Sequence, residues 1–359
     1  MNRIAQYFGR DKELTVLTFT TIIVTAVLYA LLGQRIFSLA GMQSMSIQVA
    51  EFGLLALAMG LAMLTGGIDL SIVAAAGLAG LMSALVMSGQ VIPVTDDNRA
   101  LLLVLGVIVA LVTGMLTGLL NGLIIAKLSV PPILATLGTM IFFTGIGMAI
   151  TKGNAVGIVV PEFARIVSIA VGPAPFVFIM LVLAFVAVGF ILKKTRFGRR
   201  MYLFGENDVA LRFSGARTER TIILTYMLIG LVVGLAAIII IARANSMRVG
   251  FGESYLLQTI LAVVLAGFNP FGGKGRIVSL GIALVLLQVL STSMTAFAFS
   301  PYAKNLVWGA LLLLVMTMTH YVLKGRRPAR TTKTPVDMSG GRDAPTGTVR
   351  TSDKALLSR

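Results

Sequence analysis

The chain of 359 residues has no cysteine and a single histidine, His320. Without thiols there is no disulfide framework, no cysteine nucleophile and no thiolate metal site. One imidazole excludes a metal centre built from several histidines and argues against a histidine proton relay. Charge is scarce too: Asp, Glu, Lys and Arg are 12% of the residues, about half of the roughly 25% usual in a soluble domain. A phosphate loop is also missing. The nearest candidate is the glycine-rich stretch 266–275. Phe268 stands where the first glycine of Gly-x4-Gly-Lys-Ser/Thr must be, and Gly275 stands where Ser or Thr must follow Lys274. ATP hydrolysis by that machinery is excluded for this chain.

What the chain has in excess is apolar sequence, 57% of the total. Long apolar stretches occupy 14–32, 46–65, 69–88, 101–126, 131–151, 174–193, 221–242, 255–268, 275–296 and 303–323. About 20 apolar residues are what a helix needs to cross the ~30 Å hydrocarbon core. The pattern predicts an all-α polytopic membrane protein of about ten transmembrane helices, filling 14–323. The first stretch is too long for the core of a cleaved signal peptide, which is about 7–15 residues, and reads as a retained helix. With segment 1–13 placed in the cytoplasm, the inward segments hold 23 of the 30 lysines and arginines. The outward ones hold Arg35, Arg99, Lys152, Arg165, Arg243, Arg248 and Lys304. Cationic loops resist translocation, so both termini are expected in the cytoplasm. The same asymmetry accounts for the net charge of +16 without a nucleic-acid partner. The segment 324–359, rich in Pro, Gly, Ser, Thr and basic residues, is expected to be a disordered cytoplasmic tail; contact with anionic lipid heads is an alternative for it.

Glycines recur at four-residue spacing as Gly114, Gly118 and Gly122 in one span and as Gly230 and Gly234 in another. Such faces let helix backbones approach closely where lipid supplies no hydrophobic drive. They concern packing rather than substrate.

Three stretches carry chemistry. In Thr65-Gly66-Gly67-Ile68-Asp69-Leu70-Ser71 a glycine pair interrupts a helix and an acid follows. A break of this kind survives in lipid only where protein or water satisfies the freed backbone. Asp69 and Glu51 are the acids inside or at the edge of the apolar runs, and an intramembrane acid is a functional candidate; the plainer reading is that Asp69 caps the helix starting at Leu70. The second stretch, with Gly272 and Gly273, has the same plan of apolar run, glycine break and apolar run. Paired breaks point to a transport path between two pseudo-repeated halves. The third is the long inward loop 193–220. Asn207 suits an N-cap, Asp208 the first turn, Arg212 the last turn and Gly215 the left-handed close. Val209, Ala210 and Phe213 then share a small apolar face. A two-turn helix is marginal alone, so the face is expected to dock on something; a solvated connector is the bland alternative.

Together these stretches resemble the permease subunits of ribose-type sugar importers, a branch of the ATP-binding-cassette superfamily. The resemblance rests on Gly53-Leu54-Leu55-Ala56-Leu57-Ala58-Met59-Gly60 running into Leu64 to Ser71, on Gly118-Leu119-Leu120-Asn121-Gly122, and on Pro131 to Met140. It continues through Gly198-Arg199-Arg200, Gly205-Glu206-Asn207, Ala210 and Ser214-Gly215 to Ala262-Val263-Val264-Leu265. It covers roughly residues 45–290. Departures are Ile72-Val73 for the usual Val-Gly, Ala266-Gly267 for Gly-Gly, and Lys274 for a small residue.

The resemblance implies a permease dimer, of like or sister subunits, in a bacterial inner membrane. Two cytoplasmic ATPase subunits would bind the ATP, so no cofactor is expected on this chain, and a periplasmic binding protein would deliver a monosaccharide or similar polyol. Relatives in the family carry rhamnose or a furanosyl signal instead of ribose. The inward loop corresponds to the part that docks on the ATPase, which assigns coupling to Gly198, Asn207, Val209, Ala210, Arg212, Phe213, Ser214 and Gly215. The helix breaks at Gly66, Gly67, Gly272 and Gly273 are expected to let helices part. The path is expected to be lined by Asp69 and by Asn121, Thr136, Thr139 and Asn245, since neutral groups bind sugars without holding them. Two other classes compete. An ion-coupled secondary carrier also uses broken helices, but needs intramembrane charge beyond Glu51 and Asp69. A membrane enzyme lacks the clustered acids, thiols and imidazoles it would require.

Overall fold

The structure, a computed structural model, describes residues 12–325, with side chains over 14–318. Most of the N-terminal segment 1–13 and nearly all of the tail 324–359 therefore lie outside the described residues. Helices follow one another along the chain. They are α1 (Lys12–Leu32), α2 (Gln34–Phe37), α3 (Leu39–Leu64), α4 (Ile72–Met87), α5 (Arg99–Lys127), α6 (Pro132–Thr151), α7 (Pro161–Ser168), α8 (Phe176–Lys194), α9 (Arg196–Glu206), α10 (Asp208–Phe213), α11 (Thr218–Ala244), α12 (Glu253–Leu265), α13 (Ile277–Ala296) and α14 (Pro301–Gly325). Eight of them are long and apolar enough to cross a membrane, while α4 and α12 are apolar but shorter. Each of the ten apolar stretches thus became a helix, with two of them short of a full crossing length.

α3 is the axis of the bundle. Every residue from Val49 to Thr65 is buried, which suits a helix that is apolar all round. It begins at Leu39, seven residues earlier than hydropathy suggests. The hydroxyl of Ser38 accepts from the Gly41 amide at 3.2 Å and starts the helix there, and Gln43, Ser44, Ser46 and Gln48 dilute the apolar signal of its first turns.

α11 packs against α3, α4 and, most extensively, α5. The α5–α11 contact is backbone on backbone. A Cβ placed on Gly118 would stand 3.0 Å from the Cα of Gly230, and one on Gly114 would stand 2.9 Å from the Cα of Gly234. The two glycine repeats are therefore the two faces of one interface.

The helix connections gather at two ends. At one end lie 65–71, 128–131, 195–217 and 266–276. The other end carries a small cap that the sequence did not announce. Strand β1 (Val156–Gly157) precedes α7 and pairs antiparallel with β4 (Ser246–Met247), while β2 (Ala170–Val171) pairs with β3 (Ala174–Pro175). Within it, α7 starts on Pro161, and its Phe163 is fully buried.

Candidate functional site

The first break follows directly from its glycines. α3 ends at Leu64, and the Gly66 and Gly67 amides turn back to the carbonyls of Met63 and Ala62 at 3.0 and 3.1 Å. Gly66 has φ of +75°, a conformation that costs a side-chain-bearing residue about 1–2 kcal/mol. The chain then runs to α4, which starts at Ile72 rather than at Leu70. Asp69 holds this start. Its carboxylate accepts from the Ser71 amide at 2.9 Å and from the Ser71 hydroxyl at 2.7 Å.

Two neighbouring helices complete a polar cluster at this break. Asn121 on α5 donates its amide to the Ser71 hydroxyl at 2.8 Å. Thr136 on α6 accepts from the Leu70 amide at 3.1 Å and donates to the Pro132 carbonyl at 2.8 Å. Thr139, one turn along, donates to the Thr136 carbonyl at 3.3 Å. All of these side chains are buried. Tyr226 of α11 brings its hydroxyl against Gly67, where an added Cβ would sit 2.9 Å away. The Tyr226 hydroxyl and the Asn121 carbonyl oxygen are buried without a partner among the described residues, each at a cost of about 1–3 kcal/mol.

The second break is tied into a loop by Asn269. Its side chain accepts from the Phe271 amide and donates to the Gly272 carbonyl, both at 3.1 Å. Gly272 and Gly273 have φ of +95° and +76°. The Gly273 amide donates to the carbonyl of Leu64 at 3.0 Å. The two breaks, some two hundred residues apart in sequence, are hydrogen-bonded to each other.

The long loop sits on both breaks. It holds two helices, where the sequence pointed to one. In α9, Thr195 caps the start by accepting from the Gly198 amide at 3.0 Å. Gly198 lies flat on the backbone of Ile191 and Leu192. Near the other end of α9, Gly205 wedges between Leu64 and Gly272–Gly273; a Cβ on Gly272 would come within 2.7 Å of the Gly205 Cα. The Tyr202 hydroxyl donates to the Gly275 carbonyl at 2.9 Å. Burial raises the Tyr202 pKa, with Arg276 opposing, so the phenol keeps the proton this bond uses.

α10 has the anatomy its sequence suggested. Asn207 accepts from the Ala210 amide at 2.8 Å, Asp208 lies in the first turn and Arg212 in the last, and Gly215 closes at φ of +79°. Ser214 donates to the Leu211 carbonyl at 2.7 Å. Leu211, which the sequence reading passed over, is the buried anchor. Val209, Ala210 and Phe213 are exposed, Phe213 to 89%. Between α10, the start of α11 and the two breaks lies a cleft of about 530 Å³, with Gly66, Asn207, Asp208, Arg212, Glu219 and Phe271 among its walls. Phe271, at the tip of the second break, is 85% exposed.

The structure thus gathers Gly66, Gly67, Gly272, Gly273 and the loop at one place, with Asp69, Asn121, Thr136 and Thr139 in the buried cluster behind it. Asn245 is not among them. It closes α11 at the opposite end, exposed and at φ of +51°. Glu51 is also remote from the breaks. It is fully buried, ion-paired with Arg243, and accepts from the Tyr255 hydroxyl at 2.7 Å. Among the described residues no group of three or more His, Asp or Glu could hold a metal ion. Tyr202, Gly205, Tyr226 and Phe271 had no role in the sequence reading; Gly205 stood in a quoted motif with nothing to say what it touched.

Residues 41–316 match the family described as branched-chain amino acid transport system / permease component. The ribose import permease of Bacillus subtilis is 38% identical over 276 residues, 76% of this chain and 82% of that protein. The chain belongs to the ribose-type branch of these ATP-binding-cassette permeases. It is 31% identical to the L-arabinose transport system permease of Escherichia coli over 330 residues, 89% of this chain and 94% of the relative. The autoinducer 2 import permease of Photorhabdus temperata is 26% identical over 324 residues, 87% and 92% of the two chains. No solved structure matches the permease. Membership makes it a membrane-spanning transport subunit and not an enzyme.

Proposed function

We propose that this permease forms the transmembrane conduit of an importer for a monosaccharide or similar small polyol, paired with a second permease subunit and driven by two separate ATPase subunits. The ATPases dock on α10 and the exposed Phe271, and a periplasmic binding protein delivers substrate at the opposite end. The membrane is the bacterial inner membrane, with both termini cytoplasmic, in keeping with the clustering of 23 of 30 basic residues in segments on one side.

The observation that carries this reading is the seat of the loop. α9 rests through Gly205 on both helix breaks at once, and the breaks are hydrogen-bonded to each other between Gly273 and Leu64. A displacement of α10, one residue beyond α9, enters both breaks together. Opening there would bring water to the unpartnered Tyr226 and Asn121 atoms, which offsets part of the cost of separating the helices. Asn121, Thr136 and Thr139 would then face the path as neutral donors and acceptors.

An ion-coupled carrier fits less well, because both intramembrane acids are engaged: Glu51 with Arg243 and Tyr255, and Asp69 with Ser71. The test is uptake of labelled D-ribose and L-arabinose into proteoliposomes holding the permease, its ATPase and its binding protein. ATP-dependent accumulation of a sugar supports the reading. Accumulation by the permease alone, driven by a proton gradient, defeats it.

A further inference from the structure

α8 and α13 both pack on α3 and leave between them a cleft of about 400 Å³. Its floor is set by Gly53 of α3, on which Leu181 and Leu284 converge; an added Cβ there would lie 3.1 and 3.3 Å from their Cδ1 atoms. Both leucines are buried, whereas Val182, Val186, Val278 and Val285 on the rims are exposed. The walls are hollow because Gly189 and Gly281 bring no side chains to them. A Cβ on Gly281 would meet nothing within 4 Å, and one on Gly189 would stand 4.0 Å from Ile277.

These dimensions decide what fits. A helix with its side chains is about 10–12 Å across, while at Gly189 one methyl group would fill the gap to Ile277. At roughly 30 Å³ per group, the share of one water molecule, the cleft holds about thirteen methylenes, most of one acyl chain.

Every side chain lining the cleft is apolar except that of Lys193, in the last turn of α8, at the end where Ile277 opens α13. The two ion pairs among the described residues lie elsewhere. α8 and α13 carry no acid, and Glu51, the one acid of α3, is taken by Arg243. Nothing in these three helices therefore competes with an outside anion for Lys193. We infer that the cleft holds one acyl chain of an anionic phospholipid from the leaflet on the loop side, with the headgroup phosphate against Lys193. A zwitterionic lipid brings its own cation to the same place and gains less. The walls come from a single copy of the chain, so the site stands independently of the importer reading.

The test counts lipids on the delipidated full chain in mild detergent by native mass spectrometry. Phosphatidylglycerol and phosphatidylcholine with the same oleoyl chains are titrated in turn. One phosphatidylglycerol per chain should saturate first, at a concentration about fivefold lower than phosphatidylcholine, the weight of one lysine toward an anionic headgroup. Lys193→Gln should remove that preference, and Lys194→Gln, next in sequence but outside the lining, should keep it. Gly281→Leu, which grows into open space, should weaken both lipids and leave the thermal midpoint of the chain in place. Equal affinity of the parent for the two lipids overturns the inference. So does a preference that survives Lys193→Gln, one lost equally in Lys194→Gln, or lipid binding unchanged in Gly281→Leu. Loss of a dimer instead of lipid in Gly281→Leu would assign the cleft to a protein contact and also overturn it.

Discussion

The amide of Gly273 donates to the carbonyl of Leu64 at 3.0 Å, and Gly205 lies against both partners of that bond. Three chain segments meet there with no side chain between them. The room is so small that a single added methyl group cannot fit without moving backbone.

Gly205→Val should therefore abolish coupling while leaving the bundle in place. Overpacking of this kind costs about 1–3 kcal/mol, and the strain falls on the contact between α9 and the breaks. ATP-driven uptake should fall at least ~10-fold, while the ATPase still copurifies through the untouched α10. Full uptake in Gly205→Val would show that the loop does not act through the breaks.

Ala210→Asp and Phe213→Asp should fail differently. Both side chains are exposed on α10, so permease stability should hold. A charge in the centre of a docking face costs about 2 kcal/mol or more, roughly a 30-fold loss of ATPase affinity, read by copurification and by uptake. Normal association in both variants would remove the docking role.

The glycine interface between α5 and α11 predicts a sharp contrast. In Gly118→Leu the new side chain would be driven into the Tyr226–Gly230 backbone, and the protein should fail to accumulate in a folded state. In Gly309→Ala nothing lies within 4 Å of the added carbon. There the midpoint of thermal unfolding in detergent should be unchanged or higher, since Ala favours a helix over Gly by about 0.5–1 kcal/mol.

Arg243→Ala should strand a buried carboxylate. Glu51 is fully enclosed and Arg243 is its ion-pair partner. Leaving one member of a buried pair alone costs about 3–5 kcal/mol, and the partial exposure of Arg243 places this case at the low end. The unfolding midpoint should drop, and Glu51→Gln in the same chain should restore part of it. An unchanged midpoint in Arg243→Ala would mean that Tyr255 and solvent suffice for Glu51.

The helices were legible because lipid-length apolar runs have few other uses, and the Asn207 cap was legible because capping is local. What escaped notice was long-range or masked by charge. α9 carries Phe197, Met201 and Phe204 at helical spacing, yet Arg196 before them and Arg199 and Arg200 between them make the stretch read as a basic loop. The meeting of Gly205 with Leu64 and Gly273 joins three distant segments, and no local pattern encodes it. The same holds for the pairing of Gly114 and Gly118 with Gly230 and Gly234: each face was visible, but not that each was the other's partner. Asn245 was grouped with Asn121 by chemistry alone, and the fold puts them at opposite ends of α11's length.

At Gly114, Gly118, Gly230 and Gly234, α5 and α11 meet backbone to backbone, with no layer of side chains there on which one could slide along the other. α11 begins just after the α10 turn and runs 27 residues, about 40 Å at 1.5 Å per residue. On the proposed reading, a push arriving at Thr218 would be carried along this helix to Ala244, beside β4 of the small cap, so the end remote from the loop would respond to what a nucleotide does beneath the loop.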